Sequence, residues 1–152
     1  MLKPGPDWEN PKKEVRDLFE SDLKRLFKSR ANLPRDFGSE HCHLLERLIR
    51  QPIYAAIDLL RLITGEFPFP CRRDGKPMTK AECFEALQAK VQVDTSDLQV
   101  VMKTRKEYRD FLNKWQLQSS TSYIKLLESI DGMYPNAVRA IETSLDYLQR
   151  HL

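Results

Sequence analysis

The chain repeats apolar residues every three or four positions over most of its length, which is the periodicity of amphipathic α-helices. The first stripe follows Asn10 and Pro11, an N-cap residue and a proline suited to the first helical position, and it predicts a helix that ends near Ser29. The side chains predicted to form its buried side are Val15, Leu18, Phe19, Leu23, Leu26 and Phe27.

The second helical pattern begins at Ser39 and contains the most apolar part of the chain. It runs from Leu44 through Pro52 to Ile63 and stops at Gly65, and we expect it to form the centre of the core. A proline inside a helix removes one backbone hydrogen bond and clashes with the preceding turn. Pro52 therefore predicts a kink or a division into two helices.

The region that follows contains strong turn and cap signals. Residues 66–78 hold three prolines and an Asp-Gly pair, so they predict a proline-rich loop. Thr79 and Glu82 have the spacing of a capping box, in which each side chain bonds a backbone N–H of the first turn. A third helix is therefore predicted to start at this point.

The remaining patterns predict further helices and no sheet. One stripe follows Ser96, a shorter helix ends at Asp131-Gly132, and Pro135 opens the last helix. Strand-like alternation and internal repeats are absent from the sequence. The sequence therefore predicts an all-α fold, a single compact bundle of six to seven helices over residues 1–152, with a flexible N-terminus at 1–9.

Composition places the chain among globular proteins. Hydrophobic residues make up 41% and charged residues 31% of the sequence, which argues against disorder. The apolar run from Ile53 to Ile63 is far shorter than the roughly 20 residues of a membrane span. Three cysteines without CxxC spacing, and a start without an apolar leader segment, predict reduced thiols, no membrane contact and a cytoplasmic location.

The sequence contains no strong catalytic or metal-binding motif. Its five glycines form neither a P-loop nor a GxGxxG pattern, and there is no GxSxG or HExxH segment. His41 and His43 are two residues apart, a spacing that places them on different faces of a helix. We therefore predict no metal site, no cofactor and no catalytic residue.

One short segment suggests a ribonuclease as a remote alternative. The residues from Arg35 to His41 resemble the Arg-polar-x4-His signature of HEPN-type ribonucleases, which are small all-α dimers. An arginine beside a histidine could stabilise a scissile phosphate and move a proton. That signature usually lies late in the bundle, whereas here it follows a single helix.

Basic residues are the stronger functional signal, although the formal net charge is only +3. The residues between Asp22 and Asp36 include no acid, and we call their cations the basic segment: Lys24, Arg25, Lys28, Arg30 and Arg35. A second group, the basic loop, comprises Arg72, Arg73, Lys76 and Lys80. A third group on the fourth helix includes Arg105 and Arg109, at the border of its apolar stripe. Such groups can bind phosphates without reading bases, and they can equally serve as solvated faces.

A small basic helical protein without catalytic motifs resembles the helical small subunits of CRISPR effector (Cascade-type) complexes. The resemblance covers the whole chain at the level of size, fold class and charge. It implies a non-catalytic antiviral-defence subunit that contacts DNA or RNA backbone without sequence specificity, packs beside other protein subunits, and self-associates in a multi-subunit complex. The residues that it implies for backbone contact are the basic segment, the basic loop, Arg105 and Arg109.

A protein-interaction module is the alternative from a different class. In this hypothesis the segment from Phe67 to Pro70 contacts a partner protein, as in an adaptor or an inhibitor, and nucleic acid plays no part. Phenylalanines in such a loop can also pack onto their own bundle.

Overall fold

The described part of the fold is built from helices. The computed structural model describes residues 11–33, 42–65, 72–114 and 120–151, and within these ranges it contains five α-helices and no β-strand. The helices are α1 (Pro11–Ala31), α2 (Cys42–Thr64), α3 (Lys80–Val91), α4 (Ser96–Lys114) and α5 (Ser120–His151). The all-α class is confirmed, and the flexible segment predicted at residues 1–9 lies outside the described residues.

The described helices are fewer than the six to seven that the sequence predicts because two helices continue through proline. α2 passes through Pro52, and α5 passes through both Gly132 and Pro135, where the sequence predicted a break. In α5 the buried positions keep helical spacing across the supposed break, at Ile130, Met133, Ala137 and Ile141. Packing of this continuous apolar face stabilises the helix by more than Gly132 and Pro135, both on its exposed side, destabilise it.

α2 is the central helix, as expected from its apolar sequence. It packs against each of the other four helices. Its buried residues include Leu45, Leu48, Ile53 and Leu60, and Pro52 is buried among them. α5 covers α1, α2 and α4, and its Tyr123 lies 6.0 Å from the ring centre of Phe111 on α4.

The predicted cap and turn at the start of α3 are confirmed. The Thr79 hydroxyl accepts a hydrogen bond from the Glu82 N–H at 3.2 Å, and the Glu82 carboxylate accepts one from the Thr79 N–H at 3.1 Å. In the preceding turn Gly75 has φ +83°, a conformation that favours glycine. Asp74 stabilises this turn by accepting a hydrogen bond from the Lys76 N–H at 3.0 Å.

Two residues assigned to the buried side of α1 are exposed instead. Phe27 is 71% exposed and Leu18 is 39% exposed, whereas Val15, Phe19 and Leu26 are fully buried. The true buried stripe of α1 is therefore narrower than the apolar pattern predicts. An apolar residue at the edge of a helical stripe is buried only when a neighbouring helix extends that far.

No helix in the described part of the chain is long and apolar enough to cross a membrane.

Candidate nucleic-acid interface

Four cationic side chains from three helices lie together beside the contact between α2 and α4. Arg105 and Arg109 stand one turn apart on α4, Lys80 is the first residue of α3, and Arg50 lies in the middle of α2. Arg50, Arg105 and Arg109 line the same small pocket. We call Arg50, Lys80, Arg105 and Arg109 the four-cation cluster.

The ionisation of these side chains reflects their proximity. Partial burial, followed by the charges of Arg105, Arg109 and Arg50, lowers the pKa of Lys80. Partial burial and the charges of Arg109 and Arg50 likewise lower the pKa of Arg105. Burial is the larger cause of both lowered pKa values, and the smaller cause, repulsion between the cations, reflects their proximity.

Glu46 is the one carboxylate among the described residues that line the pocket. Its Oε2 lies 3.4 Å from Nη1 of Arg50, one helical turn away, and both side chains are partly exposed. Lys80, Arg105 and Arg109 form no ion pair with any residue in the ranges that the structure describes. The site therefore favours a ligand that brings negative charge from outside the protein.

The pocket at this cluster has the size of a small anion. Its volume is about 110 Å³, and Ile49, Tyr108 and Leu112 complete its lining. Pockets that enclose drug-sized ligands measure roughly 300–1,000 Å³, so this one suits a phosphate group and cannot enclose a whole nucleotide.

Tyr108 contributes an unsatisfied hydroxyl group at the same pocket. The residue is 4% exposed, and its hydroxyl makes no hydrogen bond of normal geometry with the residues that the structure describes. Burial, followed by the neighbouring Cys42 thiol, raises the pKa of this phenol, so it stays protonated as a donor. The oxygen is buried within the protein beside Cys42, so Tyr108 shapes the pocket with its ring and does not offer its hydroxyl to a ligand.

Three residues of the cluster lower the stability of the helices that carry them. Arg105 and Arg109 are like charges at i,i+4 spacing, which repel each other on a helix. Lys80 places a positive charge at the positive end of the α3 dipole. Local choices that oppose stability tend to concentrate at functional sites.

The basic segment lies in a different part of the molecule, because α1 packs on α2 and α5. Lys24 and Lys28 are exposed and form no ion pair within the described ranges, whereas Arg25 lies near Asp22. The Arg30 guanidinium lies 3.5 Å from Asp131 and 4.6 Å from the ring centre of Tyr134. Arg35 lies outside the described residues.

The residues of the basic loop lie in two places: Lys80 belongs to the four-cation cluster, and the others lie in the turn before α3. Arg72 binds Asp74 through two hydrogen bonds of 2.8 and 3.3 Å, and it lies 3.7 Å from Glu82. Arg73 and Lys76 are exposed. Of this group, only Lys80 joins Arg105 and Arg109.

The sequence analysis did not identify Arg50 as part of this cluster. It assigned Tyr108 only to an apolar stripe and not to the lining of the pocket. These residues are far apart in sequence and meet only because α2 packs on α4. The only local signal for Arg50 is a charged residue in the most apolar helix, and Arg47 shares that property.

A second surface feature is a groove between α1 and α5. It has a volume of about 740 Å³, and its apolar lining includes Leu23, Phe27, Val138 and Leu145. The α5 wall also carries the carboxylates Glu142 and Asp146, while Lys24 and Lys28 flank Phe27 on α1.

The remaining candidate motifs fall outside the described residues. Arg35 and His41 of the ribonuclease hypothesis do so, as does the segment from Phe67 to Pro70. Among the residues that are described, no group of three or more histidine, cysteine or acidic side chains could hold a metal ion.

Comparison with known proteins gives no match to a family model, a curated protein or a solved structure.

Proposed function

We propose that the chain binds the phosphate backbone of a nucleic acid through the four-cation cluster, as a non-catalytic helical component of a larger nucleoprotein complex. The resemblance to the small subunits of CRISPR effector complexes supplies the type of complex in this proposal. In that role the protein packs beside other subunits and lines the path of a nucleic acid whose sequence is read elsewhere by base pairing.

The observation that carries the proposal is the convergence of Arg50, Arg105 and Arg109 on a pocket lined by one carboxylate, with Lys80 close by. Arginine and lysine bind phosphate oxygens through charge-assisted hydrogen bonds. A phosphate at this pocket would relieve the repulsion between Lys80, Arg105 and Arg109. The pocket's volume of about 110 Å³ suits one phosphate group of a chain.

The proposal describes binding without base specificity. Backbone contacts position a protein on a nucleic acid but carry no sequence information. DNA and RNA backbones are both expected to bind.

A titration of labelled oligonucleotides tests this proposal by fluorescence anisotropy over a range of salt concentrations. The test variant is Arg105→Ala with Arg109→Ala, and the matched control is Lys103→Ala with Lys106→Ala. Both variants remove two positive charges from α4, and the control residues are exposed. We expect the cluster variant to reduce the salt-dependence slope by about two and to lower affinity at least tenfold, as expected for lost phosphate contacts.

Three results would overturn the proposal. The wild-type protein could fail to bind any oligonucleotide, its affinity could be insensitive to salt, or the two variants could lose equal affinity. The last result would mean that overall charge, and not the cluster, attracts nucleic acid.

Association with a second copy of the chain is a second candidate function, favoured by the groove between α1 and α5. Phe27 is an apolar side chain left 71% exposed at its edge. Across a two-fold axis, Lys24 and Lys28 of one copy would face Glu142 of the other, while Asp146 is paired with Arg150 of its own chain at 2.9 Å. A self-associating subunit with this charge pattern fits the same nucleoprotein complex.

Sedimentation velocity over a range of protein concentrations tests the second candidate. We expect wild-type protein to self-associate and Phe27→Ser to remain monomeric. Ile124→Ser is the control, because Ile124 is 50% exposed on α5 and does not line the groove. A monomeric wild type, or equal effects of both substitutions, would refute the role of the groove.

A further inference from the structure

An exposed aromatic residue, Tyr54, extends the four-cation cluster along α2. It lies four residues after Arg50, so the two side chains occupy the same face of the helix one turn apart. Tyr54 is 44% exposed, although its neighbours Ile53 and Ala55 are fully buried. Its ring is therefore available at the edge of the cluster.

Tyr54 also lies close to the α4 side of the cluster. Burial and the charges of Arg109 and Arg50 lower the pKa of Arg105, and the nearby phenol of Tyr54 opposes that shift. The aromatic ring thus stands beside Arg50 on its own helix and near Arg105 on the facing helix.

The exposed ring of Tyr54 offers a contact surface to a partner. Tyrosine combines a large apolar area with a polar tip, and it is enriched at sites that bind other molecules. The described surface next to Tyr54 is cationic, so an apolar protein face is a poor partner for it. A base linked to a phosphate offers both a flat apolar face for the ring and a negative group for the arginines.

We propose that Tyr54 stacks on an unpaired base of a single-stranded nucleic acid while Arg50, Lys80, Arg105 and Arg109 bind its phosphates. This inference rests on the proposed function. It adds that the nucleic acid is single-stranded and that Tyr54 is the residue that selects this form. A duplex hides the faces of its bases within the stack, so it engages the cations without engaging Tyr54. Single strands expose those faces, and aromatic stacking on them is independent of base identity.

Tyr54 variants and three labelled ligands test this inference. The ligands are a single strand, a duplex of the same sequence, and an abasic strand that keeps the phosphates but lacks the bases. The variants are Tyr54→Ala, Tyr54→Leu, which retains apolar volume without an aromatic ring, and Tyr54→Phe, which retains the ring. Circular dichroism and thermal melting verify that each variant is folded.

We expect wild type to bind the single strand more tightly than the duplex or the abasic strand. Tyr54→Ala and Tyr54→Leu should lose about tenfold in affinity for the single strand and less than about twofold for the other ligands. Tyr54→Phe should retain wild-type affinity. A 2-aminopurine base in the single strand should be quenched on binding wild type or Tyr54→Phe, and not on binding Tyr54→Ala.

Failure of the inference differs from failure of the proposed function. If the three ligands bind wild type equally and Tyr54 variants change nothing, while Arg105→Ala with Arg109→Ala weakens all binding, stacking is refuted and backbone binding stands. If no ligand binds wild type, both are refuted. If Tyr54→Leu lost equal affinity for all three ligands, Tyr54 would serve to maintain the structure of the cluster, and stacking would be refuted.

Discussion

Asp22 on α1 and Asp58 on α2 bring two carboxyl groups close together where these helices pack. Asp22 is only 5% exposed, and Asp58 is held by Arg61 at 2.8 Å. Burial, and after it the charge of Asp58, raises the pKa of Asp22 to about 7, although Arg25 opposes the shift. Burial also raises the pKa of Asp58, against the effect of Arg61. This contact therefore favours a protonated Asp22.

The first prediction concerns the effect of pH on Asp22. Because its pKa is higher in the folded protein than the ordinary 3.8, its contribution to stability is largest at low pH and is lost as pH rises through about 7. Asp22→Asn removes this dependence. We expect the stability advantage of the variant over wild type to grow by on the order of 2 kcal/mol between about pH 5 and pH 8.

Urea unfolding at several pH values measures this difference. Asp17→Asn is the control on the same helix, because Asp17 is exposed and its substitution should have no pH-dependent effect of this size. A constant difference between Asp22→Asn and wild type across the range would contradict the prediction.

The second prediction separates stability from binding at Tyr108. Its buried hydroxyl has no hydrogen bond of normal geometry with a described residue. Tyr108→Phe should leave the free energy of unfolding unchanged or raise it by up to about 1 kcal/mol. Affinity for a single strand should stay within about twofold of wild type, because the hydroxyl is buried beside Cys42 and does not reach the pocket.

Thermal melting and anisotropy titration of the same preparation test this pair of effects. Tyr147→Phe on α5 is the control and should change neither quantity appreciably. A clear loss of stability in Tyr108→Phe would mean that the hydroxyl is satisfied within the protein.

The third prediction concerns the capping box of α3. Thr79→Ala removes the acceptor for the Glu82 N–H and should lower the free energy of unfolding by about 1 kcal/mol. Thr79→Ser keeps the hydroxyl and should remain near wild type. Chemical denaturation measures both, and equal stability of the alanine and serine variants would show that the cap contributes nothing.

The fourth prediction concerns the proline inside α5. Pro135 is exposed, and alanine at this position can donate the backbone hydrogen bond that proline lacks. We expect Pro135→Ala to raise the free energy of unfolding by about 1–2 kcal/mol, less than the full difference in helix propensity because proline also restricts the unfolded chain. Glu128→Ala, at another exposed position of α5, is the control. A destabilised Pro135→Ala would mean that proline is needed for the path of the helix.

Features set by neighbouring residues were predictable from the sequence. The Thr79 and Glu82 cap, the turn at Asp74-Gly75 and the central position of α2 all follow from spacing or composition. The continuity of α5 was not predictable, because Pro135 is a strong local break signal and only packing on both sides of it overrides that signal. The sequence also placed Phe27 in the core, although none of the described helices covers it.

The candidate site was predictable only in part. Lys80, Arg105 and Arg109 stood out as basic residues in separate groups, but their common location depends on how α2, α3 and α4 pack. Arg50 and Tyr54 carry no motif, and their position beside Arg105 is a property of tertiary structure. Arg30 and Arg72 are the opposite case. The sequence presents both as unpaired cations, but in the structure each lies beside a carboxylate of the same chain.

The central position of α2 has a consequence for how the protein would respond to a ligand. Local unfolding begins in segments with few buried contacts. A helix that packs against four others unfolds last. The amide protons around Arg50 and Tyr54 should therefore be among the slowest to exchange with solvent. Both side chains are presented from backbone that is already ordered before binding, so a ligand at this face meets a preorganised surface and loses little affinity to ordering the chain.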